Sequence, residues 1–596
     1  MSCVDSPHAR RGGSIDPAGG RSPAKIDGKC SLLAMIGSDE PLHTAVGTTS
    51  PNRGHGSDCM SQPPRPEVTR NLVFFFGSNT ARMGLLMVVG FVLTPLQIGA
   101  FGLVLFGLFQ LLNQLSMAVT SPLRSAVTRT VVKAIMQART KEGGEGVERE
   151  FTNGVVVVLG LSIALLVIAG ACLAFLPDLL NFPESQMRSV AIAFACQAVI
   201  VAVTVTTAPW LSLYLVKHRP IAFNTDLTVL RILDLVAFGV ALLPTGFDVF
   251  IGFVIARMVF TLLHSGVRLA MTWSQIPEAR FRLRSLCGKT SKRLVHVGSL
   301  SMSQPVGNVM FFFLDNYLLN IVYGPIYNAI WGIANQLRGY ARRIGAEAFS
   351  GMEATVADIH ERGGHDVNIR AMLAVTRITS GAMILCTGFV AIFFRPLIDL
   401  WLGSRLRSDE ALISLMTYDE ALNIVWSILV LLLIGGILLE IAQVGSHFLF
   451  GMGHVKRYAG IMYAAAVAKF VFSISIVIAV LQVAAGGELD AETVLLFPAS
   501  TLLVQVVFFG FIFPRRLVQI TGIRGSTYLW SALGRPTLAS VIPLLIGGLM
   551  IWLIEDWTWP LLIVMVAIVG AVSALCMLGI LIQRDERARI LGMLRR

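Results

Sequence analysis

The sequence is poor in charge for its length. Only 14% of its 596 residues are Asp, Glu, Lys or Arg, whereas 55% are apolar and the mean hydropathy is +0.71. A soluble domain usually has about a quarter of its residues charged, because a hydrated surface needs them. The composition therefore argues against a water-soluble globule and favours a lipid bilayer as the solvent.

The sequence also lacks the signatures of most catalytic and metal sites. Its eight cysteines include no CxxC pair and no histidine at metal-ligand spacing, so we predict neither a disulfide nor a metal site. It contains no GxSxG, no HExxH and no P-loop in a strand-to-helix context. The predicted loops on the far side of the membrane are short, and the longest covers about residues 395–420. We therefore predict a protein that is not an enzyme, uses no cofactor and draws energy from a gradient or from its substrate.

Long apolar stretches are what the sequence has instead. A helix that crosses a bilayer needs roughly 20 mostly apolar residues, because the hydrocarbon core is about 30 Å thick. We predict about fourteen such helices. The predicted spans are residues 72–94, 100–120, 151–176, 189–216, 227–243, 249–273, 295–323, 327–356, 371–394, 422–450, 458–480, 493–513, 537–554 and 559–582.

The distribution of Lys and Arg predicts the orientation. Of the 48 Lys and Arg residues, 40 lie in the tails, in alternate loops or at the helix ends beside them, all on one side of the membrane in the fourteen-helix topology. Such residues collect on the cytoplasmic side, so both termini are predicted to be cytoplasmic. The net charge of +12 thus indicates topology and attraction to anionic membrane lipids. It does not argue for nucleic acid, which would need a basic face on a soluble module.

The spans and loops predict the division of the chain. Residues 1–70 form a disordered cytoplasmic tail, and we hypothesise that 1–59 are not translated, because Met60 opens a plausible start just before the first helix. An offset of 225 residues places Gly107 on Gly332, which indicates a parallel repeat of two six-helix halves or a chance match of glycines. The remaining units are an N-lobe at 71–273, a basic linker at 274–294, a C-lobe at 295–513, two further spans within 514–582 and a cytoplasmic tail at 583–596.

Polar groups inside the predicted spans indicate where function lies. A charge at the bilayer centre costs at least roughly 2.5 to 3.5 kcal/mol, so it must face protein or water. Arginines and lysines outnumber carboxylates there, which is the arrangement expected for an anionic cargo. The candidate substrate-binding residues are Asn79, Arg82, Arg257, Gln304, Asn308, Asn335, Arg338 and Lys469. Asp315 and Glu440 are the candidates for ion coupling or gating.

A structural reading of these groups stays open. Asn and Gln often join helices by hydrogen bonds, and the lone cations could pair across helices with Asp315 and Glu440 or reach an interface. Arg231 and Asp234, spaced i, i+3 on the fifth helix, are expected to neutralise each other.

Three sequence motifs resemble a known family. They are RNLVFFFGSNTARM at the first helix, FFFLDNYLLNIVYGPIYNAIWGIANQLRGY through the seventh and eighth, and FRPLIDLWLGS after the ninth. With their order and spacing, the chain resembles the polysaccharide, or O-antigen, flippases of the multidrug/oligosaccharidyl-lipid/polysaccharide (MOP) exporter superfamily. The resemblance implies an all-α polytopic membrane protein with two six-helix lobes in a V and two extra C-terminal helices.

The resemblance also implies a function and partners. The cargo would be a polyprenyl-diphosphate-linked oligosaccharide. It would be moved from the inner to the outer leaflet of a bacterial inner membrane by alternating access, for O-antigen, lipopolysaccharide or exopolysaccharide synthesis. The partners would be this lipid-linked substrate, membrane lipids, a polysaccharide polymerase and other assembly proteins. The family's acidic position in the seventh helix maps to Asp315, and its cationic position in the first helix maps more loosely to Arg82.

Three rival functions remain open at this point. A multidrug or toxin extruder of the same superfamily would bind organic cations through unpaired carboxylates and aromatics, whereas this chain has excess Arg. A membrane glycan polymerase or ligase would need larger outer loops. A scaffold subunit of a polysaccharide assembly complex could use the basic loop 280–293 as a docking or lipid-contact surface.

Overall fold

The computed structural model describes residues 66–217, 219–244, 246, 248–275, 279–345, 353–452, 454–484 and 491–581. Every regular element in these ranges is helical, and none of them contains a strand. This confirms the predicted all-α fold class. The predicted tail up to residue 65, the proposed start at Met60 and the C-terminal tail lie outside the described residues.

One helix, α1 (Pro66–Ala174), contains the first three predicted spans. Its backbone leaves helical geometry at Gly102 and Gly143, where φ is 73° and 68°. Glycine lacks a Cβ and adopts such positive φ angles readily, so the chain reverses direction at both positions. The three segments of α1 are residues 66–101, 103–142 and 144–174.

The other helices follow in the order of the predicted spans. The fourth predicted span is divided at Thr207 and the seventh at Met302. In the first half, the helices after α1 are α2 (Leu176–Leu179), α3 (Met187–Thr206), α4 (Ala208–Val216), α5 (Pro220–Ala241) and α6 (Val249–Gln275). The next are α7 (Gly288–Ser301), α8 (Ser303–Tyr323), α9 (Pro325–Gly345), α10 (Glu353–Ile392), α11 (Phe394–Trp401), α12 (Gly403–Arg407), α13 (Glu410–Ile413), α14 (Tyr418–Gly451) and α15 (Val455–Ala484). The last are α16 (Leu496–Gln505), α17 (Phe513–Thr521), α18 (Gly525–Leu529), α19 (Arg535–Leu553) and α20 (Trp559–Ile580).

The helices are long and apolar enough for a multi-pass membrane protein. Within the described ranges, nine helical runs meet the length and hydropathy needed to cross a bilayer, and one of them, Ala81–Ala174, includes parts of the first three predicted spans. Helices cover at least part of every predicted span. The count of fourteen and the domain limits drawn from the sequence stay predictions.

Two helical bundles meet at one end of the molecule. The N-terminal bundle (α1–α6) has a core of aromatic rings, in which Phe101 packs against Phe238 and Phe250 at centroid distances of 5.8 and 5.2 Å. The C-terminal bundle (α8–α17) is centred on large buried side chains such as Trp331 and Tyr458. One apolar cluster joins Phe106 of α1 to α8, α9 and the short helices α11–α13, so the two bundles are sealed together there. This end carries the loops predicted to face outward.

Two glycines allow the bundles to approach closely at this seal. A Cβ at Gly107 would overlap the carbonyl oxygen of Pro325, and a Cβ at Gly332 would lie 3.0 Å from Cγ of Gln110. Each glycine thus lies where the second segment of α1 meets α9. These are the two positions that the 225-residue offset aligns.

A larger residue at Gly107 should force the seal open. We expect Gly107→Val to increase labelling from outside of Thr94→Cys, a cavity position, by a membrane-impermeant thiol reagent in a cysteine-free background, because the valine collides with the α9 backbone. Gly84→Val is the matched control, since a Cβ there meets nothing within 4 Å and Gly84 does not line the cavity. Equal labelling of the two variants would contradict this explanation.

Candidate functional site: a cavity between the two bundles

A cavity of about 470 Å³ lies between the bundles, next to the seal. The first two segments of α1 line it together with α5 and α6 on one side, and α8 and α9 line it on the other. This volume is within the usual range for ligand-binding pockets, roughly 300 to 1,000 Å³. The cavity reaches the arginines near the end of α9, which is predicted to be its cytoplasmic end.

On the N-terminal side, two arginines share one carboxylate. Arg231 Nη1 lies 3.0 Å from Asp234 Oδ2, as the i, i+3 spacing predicted, and Arg257 Nε lies 2.8 Å from Asp234 Oδ1. Arg257 also donates from Nη2 to Asn113 Oδ1 at 3.1 Å, and its guanidinium lies 5.5 Å from the ring centre of Phe109. One carboxylate cannot neutralise two guanidinium groups, so this wall of the cavity carries net positive charge.

One nitrogen of the Arg257 guanidinium makes no hydrogen bond within the described residues. Its Nη1 is buried and has no hydrogen-bond partner among the described residues. Buried polar groups are nearly always satisfied, and leaving one without a partner costs about 1 to 3 kcal/mol or more for a charged group. A ligand oxygen in the cavity could remove that cost.

The C-terminal side contributes the polar face of α9. Arg338 donates from Nε to Asn335 Oδ1 at 3.1 Å. Arg342 forms an ion pair with the buried Glu440 of α14, and its Nη2 lies 3.5 Å from Gln443 Oε1. Polar side chains of α9 and α14 therefore face each other, with Arg342 between the cavity and the interior of the bundle.

The charge of the lining is strongly one-sided. Among the described residues that line the cavity, five are arginines, namely Arg231, Arg257, Arg338, Arg342 and Arg343, and one, Asp234, is acidic. The arginines come from both bundles. Because they surround a small volume bounded by apolar helices, the cavity has the electrostatics of an anion site.

Lys469 and Asp315 lie elsewhere, inside the C-terminal bundle. Lys469 Nζ is 2.6 Å from Asp315 Oδ1, and both side chains are completely buried. Ser500 and the carbonyl of Phe497 also accept from Lys469, at 2.6 and 3.2 Å. Asp315 accepts in addition from Thr501 and Ser473, so the pair is embedded in hydrogen bonds from α15 and α16.

The structure brings together some of the predicted binding residues. Arg257, Asn335 and Arg338 line the cavity. The prediction for Lys469 needs a correction, because its ammonium is held by Asp315 and does not reach the described lining.

The remaining predicted residues lie on α1 and α8. Asn79 and Arg82 also lie off the described lining, and Arg82 Nη2 donates to Asn79 Oδ1 at 2.9 Å. Gln304 and Asn308 lie on α8, but their side chains are outside the described residues.

Sequence reasoning missed several cavity residues. Arg231 was set aside because Asp234 was expected to neutralise it. The second arginine that pairs with this carboxylate, Arg257, lies on another helix. Asn113 gave no signal, since a single Asn in an apolar helix is commonplace. Arg342 follows Arg338 by four residues and so lies on the same face of α9, which was the available clue. Arg343 was read only as a charge at a cytoplasmic helix end.

The seal beyond the cavity is made by polar as well as apolar contacts. Trp401 stacks on Phe91 at 4.5 Å between ring centres and donates from Nε1 to the Phe91 carbonyl at 2.6 Å. Asp409, which caps α13, accepts from the backbone N–H of Leu103 at 2.9 Å, directly after Gly102. The two bundles are therefore joined at the end that the sequence predicts to face outward.

The described residues contain no group of three His, Cys, Asp or Glu side chains that could hold a metal ion.

Comparison with known proteins shows similarity at the level of the fold. No protein-family model and no curated protein sequence matches the chain. An inward-facing multidrug-resistance MATE transporter of the MOP superfamily is 12% identical, with a TM-score of 0.58 over 74% of this chain and 96% of that one.

Two other solved structures are similar in the same way. A MOP superfamily transporter from Pyrococcus furiosus, whose binding pocket is described as having reversed polarity, is 13% identical, with a TM-score of 0.55 over 76% and 96% of the two chains. The lipid II flippase MurJ in an inward closed conformation is 11% identical, with a TM-score of 0.56 over 85% and 97%. The chain therefore has the fold of the transporters and flippases of the MOP superfamily.

Proposed function

We propose that the protein flips an anionic polyprenyl-diphosphate-linked oligosaccharide from the inner to the outer leaflet of the bacterial inner membrane, by alternating access, for the synthesis of an envelope polysaccharide. The observation that carries this proposal is the cavity, where five arginines from both bundles face one carboxylate. An organic cation would be repelled by such a lining, whereas a diphosphate would be attracted.

The headgroup chemistry fits the arrangement of the donors. Guanidinium groups match phosphate oxygens in geometry, and charge-assisted hydrogen bonds are the strongest type available to a protein. The partnerless Nη1 of Arg257 supplies a donor from the N-terminal bundle, and Arg338 lies across the cavity on α9. A diphosphate bound between them would bridge the two bundles, while the polyprenyl tail stays in the lipid.

The ion pair between Glu440 and Arg342 supports a link between cargo binding and a change inside the C-terminal bundle. Arg342 faces the cavity and is held by Glu440, so a bound phosphate and Glu440 compete for the same guanidinium. When the cargo binds Arg342, the buried carboxylate of Glu440 loses its counter-ion, which is costly for a charge away from water. Release of the cargo restores the ion pair. Asp315 is already paired with Lys469. Its role in gating would be structural, because its contacts hold α8 against α15 and α16.

Deletion of the gene tests this proposal. We expect lipid-linked oligosaccharide to accumulate in the cells and surface polysaccharide to disappear, both measured by mass spectrometry. Wild-type protein should restore the surface polymer, whereas Arg257→Ala and Arg338→Ala should each reduce it at least about tenfold, because each loses charge-assisted hydrogen bonds worth about 1.5 to 3 kcal/mol.

The matched control is Arg395→Ala, which removes an exposed outer arginine paired with Asp419. It should complement like the wild type. Unchanged glycans together with raised sensitivity to cationic drugs would instead favour the extruder. Glycan transfer by the purified protein would favour the polymerase or ligase.

A further inference from the structure

The linker segment (residues 279–293) is fixed against the N-terminal bundle. Thr152 of α1 donates to the carbonyl of Arg280 at 3.2 Å and accepts from the N–H of Arg282 at 3.1 Å. Asn153 donates to the carbonyl of Ser285 at 3.1 Å and accepts from the N–H of Cys287 at 2.9 Å. Two neighbouring side chains thus hold four points of the linker backbone.

Ion pairs reinforce this attachment. Glu148 accepts from Ser285 Oγ at 2.6 Å and lies 3.3 Å from Arg282 Nη1. Glu150, which is almost fully buried, pairs with Arg293 at 2.5 Å. The course of the linker segment is therefore set by the bundle beneath it, so the direction of its outer side chains is fixed as well.

The outer side of the linker segment combines large apolar side chains with cations. Phe281, Leu283 and Leu286 are exposed, and Leu283 is exposed to 67%. They alternate with exposed basic residues, which are Arg280, Arg284, Lys289 and Lys292. Among the described residues, Glu148 pairs with Arg282 and Glu150 pairs with Arg293.

The position of this surface indicates what covers it. The preceding membrane run ends at Trp273, which is 68% exposed, and tryptophan is enriched where a helix leaves the hydrocarbon for the headgroup layer. The linker segment begins six residues later, so it lies at the level of the headgroups on the predicted cytoplasmic side. Apolar side chains that alternate with cations are typical of segments that bind anionic interfaces.

We propose that the linker segment binds anionic phospholipid of the cytoplasmic leaflet. Arg280, Arg284 and Lys292 would contact the phosphates, and Phe281 and Leu283 would insert among the upper acyl carbons. Because this segment joins the two bundles, bound lipid fixes the base of the N-terminal bundle in the membrane plane while the C-terminal bundle moves. The proposal depends on the predicted orientation and is independent of the identity of the cargo.

Lipid binding to the purified full chain tests the proposal. Native mass spectrometry would follow titration with phosphatidylglycerol or with phosphatidylcholine of the same acyl chains, in the absence of any oligosaccharide. We expect tighter binding of phosphatidylglycerol. Arg280→Gln/Arg284→Gln/Lys292→Gln should weaken it roughly tenfold or more, since each cation near an anionic surface contributes severalfold. Leu283→Ser should weaken phosphatidylglycerol binding severalfold although every charge is kept, because the inserted apolar side chain is lost.

The matched control removes three exposed arginines from the predicted cytoplasmic side of the C-terminal half. Arg515→Gln/Arg516→Gln/Arg524→Gln should bind phosphatidylglycerol within about twofold of the wild type, because positive-inside charge alone does not form this surface. An equal loss in both triple variants, or equal affinity of the wild type for the two lipids, would overturn the proposal. So would a linker variant that keeps its lipid but loses a bound cytoplasmic protein.

Discussion

Asp315→Asn is expected to lower the free energy of unfolding by about 3 to 5 kcal/mol, because it leaves the completely buried ammonium of Lys469 without its counter-ion. The hydrogen bonds from Ser500 and Phe497 remain but cannot neutralise the charge. Unfolding by SDS in mixed micelles would measure the loss.

Removing both charges should restore most of this stability. Apolar or neutral side chains of similar volume replace a buried ion pair at little cost, so Asp315→Asn/Lys469→Met is expected to unfold close to the wild type. Asp419→Asn, which breaks the exposed pair with Arg395, is the control and should change stability little. If the double variant were as unstable as the single one, the charge explanation would fail. A stable double variant that no longer flips its cargo would give this pair a role in gating.

Replacing both arginines that hold Asp234 is expected to reverse the preference of the cavity. Arg231→Gln/Arg257→Gln should weaken binding of inorganic diphosphate by about a hundredfold or more, because two charge-assisted contacts of about 1.5 to 3 kcal/mol each are lost. It should also create binding of tetraphenylphosphonium, since Asp234 becomes a carboxylate without its two partners in the cavity. Calorimetric titration of the purified protein with the two probes would measure both effects.

Asp234 itself provides the control. Adding Asp234→Asn to the double variant should abolish the new cation binding without restoring the anion site. Arg395→Gln/Arg407→Gln, which removes two exposed outer arginines, should leave both affinities unchanged. Cation binding that survives Asp234→Asn would mean that another part of the cavity is responsible.

Local patterns in the sequence were sufficient for the helices. Helices cover at least part of every stretch that apolar length predicted as a span, and the i, i+3 spacing of Arg231 and Asp234 identified one ion pair. The alternation of basic loops grouped segments that the structure places in contact, such as the linker segment with residues 148–153. The sequence therefore predicts an ion pair when both partners lie on one helix, and it predicts the side of a loop when the whole loop is basic.

Pairs between distant helices could not be predicted in this way. Asp315 meets Lys469 only because α8 packs against α15, and Arg257 reaches Asp234 only because α6 lies beside α5. Both cations were therefore assigned to cargo binding, which fits the cavity position of Arg257 but not that of Lys469. The break at Gly102 lies inside the second predicted span, 100–120, and nothing local indicated that Asp409 would contact Leu103 beside it.

The contact of Asp409 with Leu103 has a consequence for the integrity of the membrane barrier. A pump whose two gates open together would drain the ion gradient of the cell. Here the N–H of Leu103, at the start of one helical segment, donates to the Asp409 carboxylate of the opposite bundle. Separation of the bundles breaks this charge-assisted hydrogen bond, while Asp409 still caps α13 through the N–H of Leu412. Separation of the bundles at the end that is predicted to face outward therefore has to break this bond as well as the apolar seal.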